Sequence, residues 1–359
     1  MSVSAPWLLY GAYGYTGRRI AEEAVRRGMR PVLAGRSAAK VEALAARLEC
    51  PGRVFPLGDP EATARQLAGA RAVLNCAGPF SATAEPMIEA CLRAGVHYLD
   101  ITGEIDVIEA AAGRHQQALA AGVTLLPAVG FDVVPSDCLA ALLAQRLPGA
   151  THLELAFESF GRPSRGTART MLEAMPRGGR VRIDGRIVSV PAAWKTMEVP
   201  FRHGRRRAVT VPWGDVASAW YSTGIPNVEV YVAFPRSQIR MLRLMRPVLP
   251  LLGLGWVQRL AKRCVGWVVR GPSDESQRMG RVSFWGRVRD AQGRSASATL
   301  ETPAGYALTV TAALAVLERV LEHAAPAGFA TPSGAFGPEF VLSLPGIDLR
   351  WEEGSVSAS

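Results

Sequence analysis

Trp7-Leu8-Leu9-Tyr10-Gly11-Ala12-Tyr13-Gly14-Tyr15-Thr16-Gly17 is an apolar run that passes directly into three glycines spaced three apart. The first four residues read as a buried strand, and the pattern from Tyr15 to Arg27 as the helix that follows it. Glycines at such a strand-to-helix turn let the backbone approach a pyrophosphate, and the helix aims its free N–H groups and positive dipole end at the phosphates. Twenty-five residues beyond Gly11 the chain gives Ala34-Gly35-Arg36 at the end of a second apolar run. A carboxylate there would accept from the ribose hydroxyls of NAD, whereas an arginine pairs with a 2′-phosphate. No acid stands between Val32 and Ser37. Gly11, Tyr13, Gly14, Tyr15, Thr16 and Gly17 are therefore expected at the pyrophosphate and Gly35, Arg36, Ser37 and Lys40 at the 2′-phosphate, with NADP(H) as the cofactor.

Strand and helix patterns alternate through the first third of the chain, as a parallel sheet demands. Strands are expected at 7–10, 31–34, 54–57, 72–75, 97–100 and 123–126, with helices at 15–27, 38–48, 61–67, 84–94 and 105–121 between them. The fold class that follows is α/β: a doubly wound Rossmann sheet over 1–130 and a second α+β domain over 131–325. Residues 326–359 form a C-terminal return. The second domain carries alternating runs at 151–159, 180–190, 227–234, 282–288 and 295–302, which suit a mostly antiparallel sheet. A helix follows at 306–323, and a further strand is expected at 340–344.

Ligand chemistry in a doubly wound sheet lies beyond the carboxyl ends of its strands. Asn75, Cys76, Ala77, Gly78 and Pro79 end the fourth strand and are expected beneath the nicotinamide ribose, the small residues letting the cofactor lie on backbone. Phe80, Asp100, Thr102, Gly103, Glu104 and Phe131 share the same rim and are expected to face substrate. Hydride addition to a double bond leaves charge that a proton must quench, so an acid is wanted nearby. Asp132, Asp137 and Tyr98 are the candidate donors, a partly buried carboxyl having its pKa raised by desolvation. Capping is an alternative role for Asp137 and Ser136, which stand just before the apolar helix expected at 138–147, and for Glu104, which opens another.

An apolar fraction of 48% with 20% charged residues fits a globular protein of two ordinary domains. Lysine occurs only at 40, 195 and 262, so the net charge of +10 is carried by arginine and favours acidic partners. Cysteines at 50, 76, 91, 138 and 264 form no Cys-x-x-Cys pair, so neither a metal site nor a disulfide framework is signalled. With a core strand at the N-terminus in place of an export signal, a reduced, cytoplasmic protein is expected. No acid lies between Glu229 and Asp274, while arginines recur through 236–270. Apolar positions from Trp256 to Val268 keep helical spacing opposite the basic ones. Such a segment reads as a contact for an anionic membrane surface or an acidic carrier protein, or as a packed helix with a solvated basic face. No nucleic-acid module accompanies the charge. The oligomeric state, a homodimer included, stays open.

Taken in order, G-A-Y-G-Y-T-G, L-A-G-R, N-C-A-G-P-F, Y-L-D-I-T-G-E, G-F-D-V-V-P-S-D, T-P-A-G-Y-A-L-T and G-F-A-T-P-S-G-A-F-G span nearly the whole chain. They resemble the saccharopine dehydrogenase-like oxidoreductases, and within them the branch of trans-acting enoyl reductases. The resemblance implies a Rossmann domain, a second α+β domain and pyridine-nucleotide-dependent reduction. It makes substrate contact by Thr167 an expectation. The group reduces both C=N and C=C bonds. The apolar, aromatic second domain favours C=C reduction in a lipid-like or polyketide thioester, free or carrier-bound, with imine reduction as the alternative. A non-catalytic, NADP-binding redox sensor at a membrane is the reading from another class. The tyrosines lack a lysine four positions on, which excludes the Tyr-x-x-x-Lys chemistry of short-chain dehydrogenases.

Overall fold

A computed structural model describes residues 6–159, 172, 175–268 and 280–352, the side chains of 159 and 262–268 excepted. The chain divides into two compact units, one made of Met1–Val134 with Leu308–Gly337 and the other of Pro135–Ala307 with Pro338–Ser359. Both are discontinuous in sequence. The helix Gly305–Leu321 thus contributes most of its length to the first unit and the last residues go to the second, a division different from the three consecutive blocks expected.

The first unit is built on strands β1 (Trp7–Tyr10), β2 (Val32–Gly35), β3 (Gly52–Val54), β4 (Ala72–Asn75), β5 (His97–Asp100) and β6 (Thr124–Leu126). They lie parallel in the order 6-5-4-1-2-3, and the short strand Gly328–Phe329 pairs beside β6. β1 and β4 are buried along their whole length, which explains why they are apolar up to Asn75 at the end of β4. The crossovers are helices α1 (Tyr15–Arg26), α2 (Ala38–Leu48), α3 (Pro60–Leu67) and α4 (Phe80–Ala94), then α5 (Ile105–Ala112) and α6 (His115–Ala121). The expected single helix over 105–121 is broken at Gly113-Arg114. The break turns His115 so that its Nδ1 accepts the N–H of Phe329 at 3.0 Å, fastening α6 to the added edge strand.

The second unit opens with helix α7 (Val134–Arg146) and strand β7 (His152–Ser159). The single strand expected over 180–190 is a hairpin, β8 (Gly179–Ile183) and β9 (Arg186–Val190). Its turn uses Asp184 and Gly185, both at positive φ. An Asp-Gly pair favours such a primed turn. A second hairpin, β10 (Thr196–Phe201) with β11 (Gly204–Thr210), had no expectation, its alternation being masked by the basic run Arg205–Arg207. Helix α8 (Asp215–Thr223) and β12 (Asn227–Ala233) follow, then helices α9 (Arg236–Leu244) and α10 (Gly255–Val268), and finally β13 (Arg281–Arg289) and β14 (Ser295–Pro303). The sheet runs β10-β11-β12-β7-β13-β14 and ends on the strand Asp348–Trp351; every pairing is antiparallel except β12 with β7. The strand expected at 340–344 is instead part of a 3-10 turn, Pro338–Ser343.

Candidate nucleotide-binding and active site

All the rim segments of the first unit meet at the carboxyl ends of its strands. Gly11 leaves β1 at φ +75, and a Cβ there would stand 2.7 Å from the backbone nitrogen of Ala77. The turn after β1 therefore lies against the turn after β4, an approach that only glycine permits. A Cβ on Gly17 would fall 2.4 Å from the Gly11 carbonyl, so the first turn of α1 is equally tight. No side chain caps α1 at Gly14, and an uncapped helix start of this kind suits an anion. Tyr13, Tyr15 and Thr16 are partly exposed around this turn.

At the end of β2 the ring of Tyr13 lies against Gly35, where a Cβ would meet it at 2.5 Å. The Lys40 ammonium stands 5.5 Å from the centre of that ring. Arg36 and Lys40 are exposed, and Ser37 begins α2 without a side-chain cap bond. A guanidinium, an ammonium and an uncapped helix start, with no carboxylate beside them, fit a 2′-phosphorylated dinucleotide and would repel nothing in it. The residues present therefore suit NADP(H).

The turn after β4 is shaped from within. Buried Asn75 accepts from the Ala77 N–H at 3.0 Å and donates to Thr83 Oγ1 at 3.3 Å, and Thr83 in turn donates to the Ala77 carbonyl at 2.6 Å. Glu104, from the segment after β5, accepts from the N–H groups of Phe80 and Ser81 at 2.9 and 3.0 Å. Its carboxylate thus caps α4 rather than its own helix, and ties two rim segments together. Gly78 is exposed and Cys76, Ala77, Pro79 and Phe80 are half-buried, with burial pushing the Cys76 thiol upward.

The carboxylates after β5 and β6 have different fates. Asp100 is fully buried; its Oδ1 accepts from Thr102 N–H at 2.9 Å and Ala128 N–H at 2.8 Å, and its Oδ2 from Tyr98 Oη at 2.6 Å. Burial pushes its carboxyl up to about 6 against those three donors. Asp132 keeps part of its surface open while its carboxyl is crowded, Oδ2 lying 3.1 Å from where a Cβ on Gly103 would stand. Burial pushes it up to about 7. Phe131 is half-buried, and its N–H donates to Thr309 Oγ1 at 3.1 Å, holding the Asp132 segment on the Gly305–Leu321 helix.

Two of the three expected proton donors are engaged inside the protein. Tyr98 is buried, with its hydroxyl committed to Asp100. Asp137 is buried in the first turn of α7 and accepts a hydrogen bond from Ser222 of α8, an internal tie of the second unit. Ser136 likewise donates to Asp215 at 2.9 Å. Asp100 and Thr102 are buried and engaged in the backbone of the turn, Thr102 Oγ1 accepting from Glu104 N–H at 3.0 Å, so they position the rim instead of presenting themselves to substrate. Thr167 lies outside the described residues. Thr83 and Thr309 had no assigned role; Thr309 is the last residue of T-P-A-G-Y-A-L-T, and its place in that motif was the available signal.

Comparison with known proteins agrees with the cradle. A family model for the saccharopine dehydrogenase NADP binding domain matches residues 7–126. A trans-acting enoyl reductase of Mycobacterium leprae is 36% identical over 138 residues, 36% of this chain and 33% of its own. A trans-acting enoyl reductase of Mycobacterium tuberculosis is 32% identical over 183 residues, 47% and 44% of the two chains. A third relative named as an enoyl reductase, also of Mycobacterium tuberculosis, is 33% identical over 226 residues, 56% of this chain and 54% of its own, so the chain spans about half the length of the curated relatives it matches. Saccharopine dehydrogenase (L-Glu forming) from Saccharomyces cerevisiae, solved without ligand, covers 97% of this chain and 100% of its own with a TM-score of 0.65. At 10% identity that likeness shows a shared fold.

Proposed function

We propose, for an oxidoreductase whose residues 7–126 match the saccharopine dehydrogenase NADP binding domain, that the reaction is reduction of the C=C bond of an α,β-unsaturated thioester. Bound NADPH supplies the hydride. Asp132 holds a proton on its carboxyl up to neutral pH and gives it to the carbon next to the thioester carbonyl as the double bond is consumed. Phe80 and Phe131, half-buried on the same rim, offer aromatic surface to an apolar substrate. Asn75 and Glu104 hold the intervening turn, and Asp100 holds the backbone of the next two.

The observation that carries this reading is the charge of the rim itself. Segments 75–80, 100–104 and 128–132 contain three carboxylates and no lysine or arginine. A substrate bearing several carboxylates of its own would meet repulsion there, whereas an uncharged enoyl group would not. The names of the curated relatives add support for C=C reduction. The test is to mix the protein with NADPH and separate panels of enoyl thioesters and imines, following loss of reduced-nicotinamide absorbance. Turnover of thioesters is expected; turnover confined to imines would overturn the proposal.

A further inference from the structure

Helix α9 is apolar on two faces. Its inner face buries Ile239 and packs Leu242 on Ala193 and Val209. Arg243 and Arg246 reinforce that seat by donating to the Ala192 and Ala193 carbonyls at 2.6–3.2 Å. The outer face carries Met241 and Leu244, 59% and 77% exposed, and just past the end of the helix Met245 and Val248 are 38% and 46% exposed. The run continues beyond the helix through Leu251, Leu254, Trp256 and Leu260, between 47% and 64% exposed. Eight of the fifteen large exposed hydrophobics among the described residues therefore fall within twenty consecutive positions. Scattered apolar residues need no explanation, but a concentration of this size marks a contact surface.

Charge identifies what the surface meets. Arg236, Arg240 and Arg259 are exposed along the same stretch, and no acid occurs from Val230 to Ser273. A protein interface of ordinary composition mixes both signs, whereas this stretch sets leucines and a tryptophan among arginines alone, Arg236 also pairing with Glu198 of β10 at 3.5 Å, and so matches an anionic lipid headgroup layer over hydrocarbon. The elements are short, and among the described residues no helix is long and apolar enough to cross a membrane. They suit lying along a surface, not spanning it.

We propose that Arg236–Leu260 docks this protein on the surface of a bilayer containing anionic lipid, with Met241, Leu244, Trp256 and Leu260 entering the headgroup boundary. This inference stands on exposure and charge, and goes beyond the assignment of the substrate. It predicts that the full chain floats with vesicles of phosphatidylcholine mixed with phosphatidylglycerol and much less with phosphatidylcholine alone. Raising salt should weaken the association without abolishing it. Leu244→Glu combined with Trp256→Glu should lower partitioning at least about tenfold, as expected for loss of two inserted apolar side chains. Arg236→Glu with Arg240→Glu should remove the preference for anionic vesicles. Unchanged NADPH affinity, measured by calorimetry on each variant, would confirm that the fold is intact. Absence of wild-type binding to anionic vesicles would overturn the proposal, as would equal binding by the L244E/W256E variant. Binding of a soluble acidic carrier protein, or self-association through this face, without vesicle binding would overturn it too.

Discussion

Asp132 is the residue at which fold and chemistry pull against each other. A carboxyl that is crowded enough to stay protonated to about 7 is an acid of the right strength for work at neutral pH, and a burden on the fold once ionised. Its folded-state pKa lies above the unfolded value, so the folded chain holds the extra proton between roughly pH 4 and 7, and stability falls as pH rises through that window. Turnover should follow the same titration, declining above about pH 7 as the acid form disappears. Asp132→Asn should lower kcat by about 10²–10⁴-fold and remove that limb, leaving NADPH affinity unchanged in a calorimetric titration. A variant with wild-type kcat would exclude Asp132 as the donor. At the other end of the cofactor site, Arg36→Ala should weaken NADPH binding by roughly 10- to 150-fold, the worth of one charge-assisted contact, and leave NADH binding unaltered. Arg36 was legible in sequence because its residue class alone separates two nucleotides. Asp137, which the sequence also allows as a helix cap, is engaged by the hydroxyl of Ser222, far along the chain, a contact that no local pattern announces.

Among the elements, the parallel sheet was readable because its central strands β1 and β4 are fully buried and appear as apolar runs between helices, whereas the exposed edge strand β3, Gly-Arg-Val, gives little signal of its own. Limits of the strands and helices moved by a few residues, as at α4, which begins at Phe80 and not at Ala84. The reason is Glu104, whose carboxylate supplies acceptors for the first N–H groups of that helix from the end of another strand. Sequence places Glu104 at the start of α5, where self-capping is the natural reading; a cap delivered across the rim depends on the strand order and has no local signature. Glu104→Ala should cost about 0.5–2 kcal/mol, read as a lower urea midpoint, and should raise the KM for NADPH more than it lowers kcat. An unchanged midpoint would mean that solvent caps α4 equally well. In the second unit the β10–β11 hairpin escaped the same kind of reading because three consecutive arginines interrupt its period-two pattern.

Across the whole molecule, the fold class was visible and the partition of the chain was not. The motifs run in sequence order, yet residues 308–337 complete the first unit and residues after them complete the second. The strand Asp348–Trp351 pairs with β14. Next to it Glu352 accepts from Trp285 Nε1 at 2.9 Å and from Ser297 Oγ at 2.6 Å. Truncation after Leu344 should therefore lower the melting temperature by several degrees while NADPH affinity, seated in the first unit, is kept; calorimetry of the shortened chain checks both. Loss of nucleotide binding along with the strand would show that the two units are energetically inseparable.

The interleaving also sets a timetable for biosynthesis. Everything from Pro135 to Ala307 must leave the ribosome before the Gly328–Phe329 strand can cover the open side of β6 and before Thr309 can receive the Phe131 N–H. At translation speeds of about 5–20 residues per second, the nascent nucleotide-binding sheet waits on the order of ten seconds or more with a bare edge. During that interval the incomplete sheet is a natural client for chaperones.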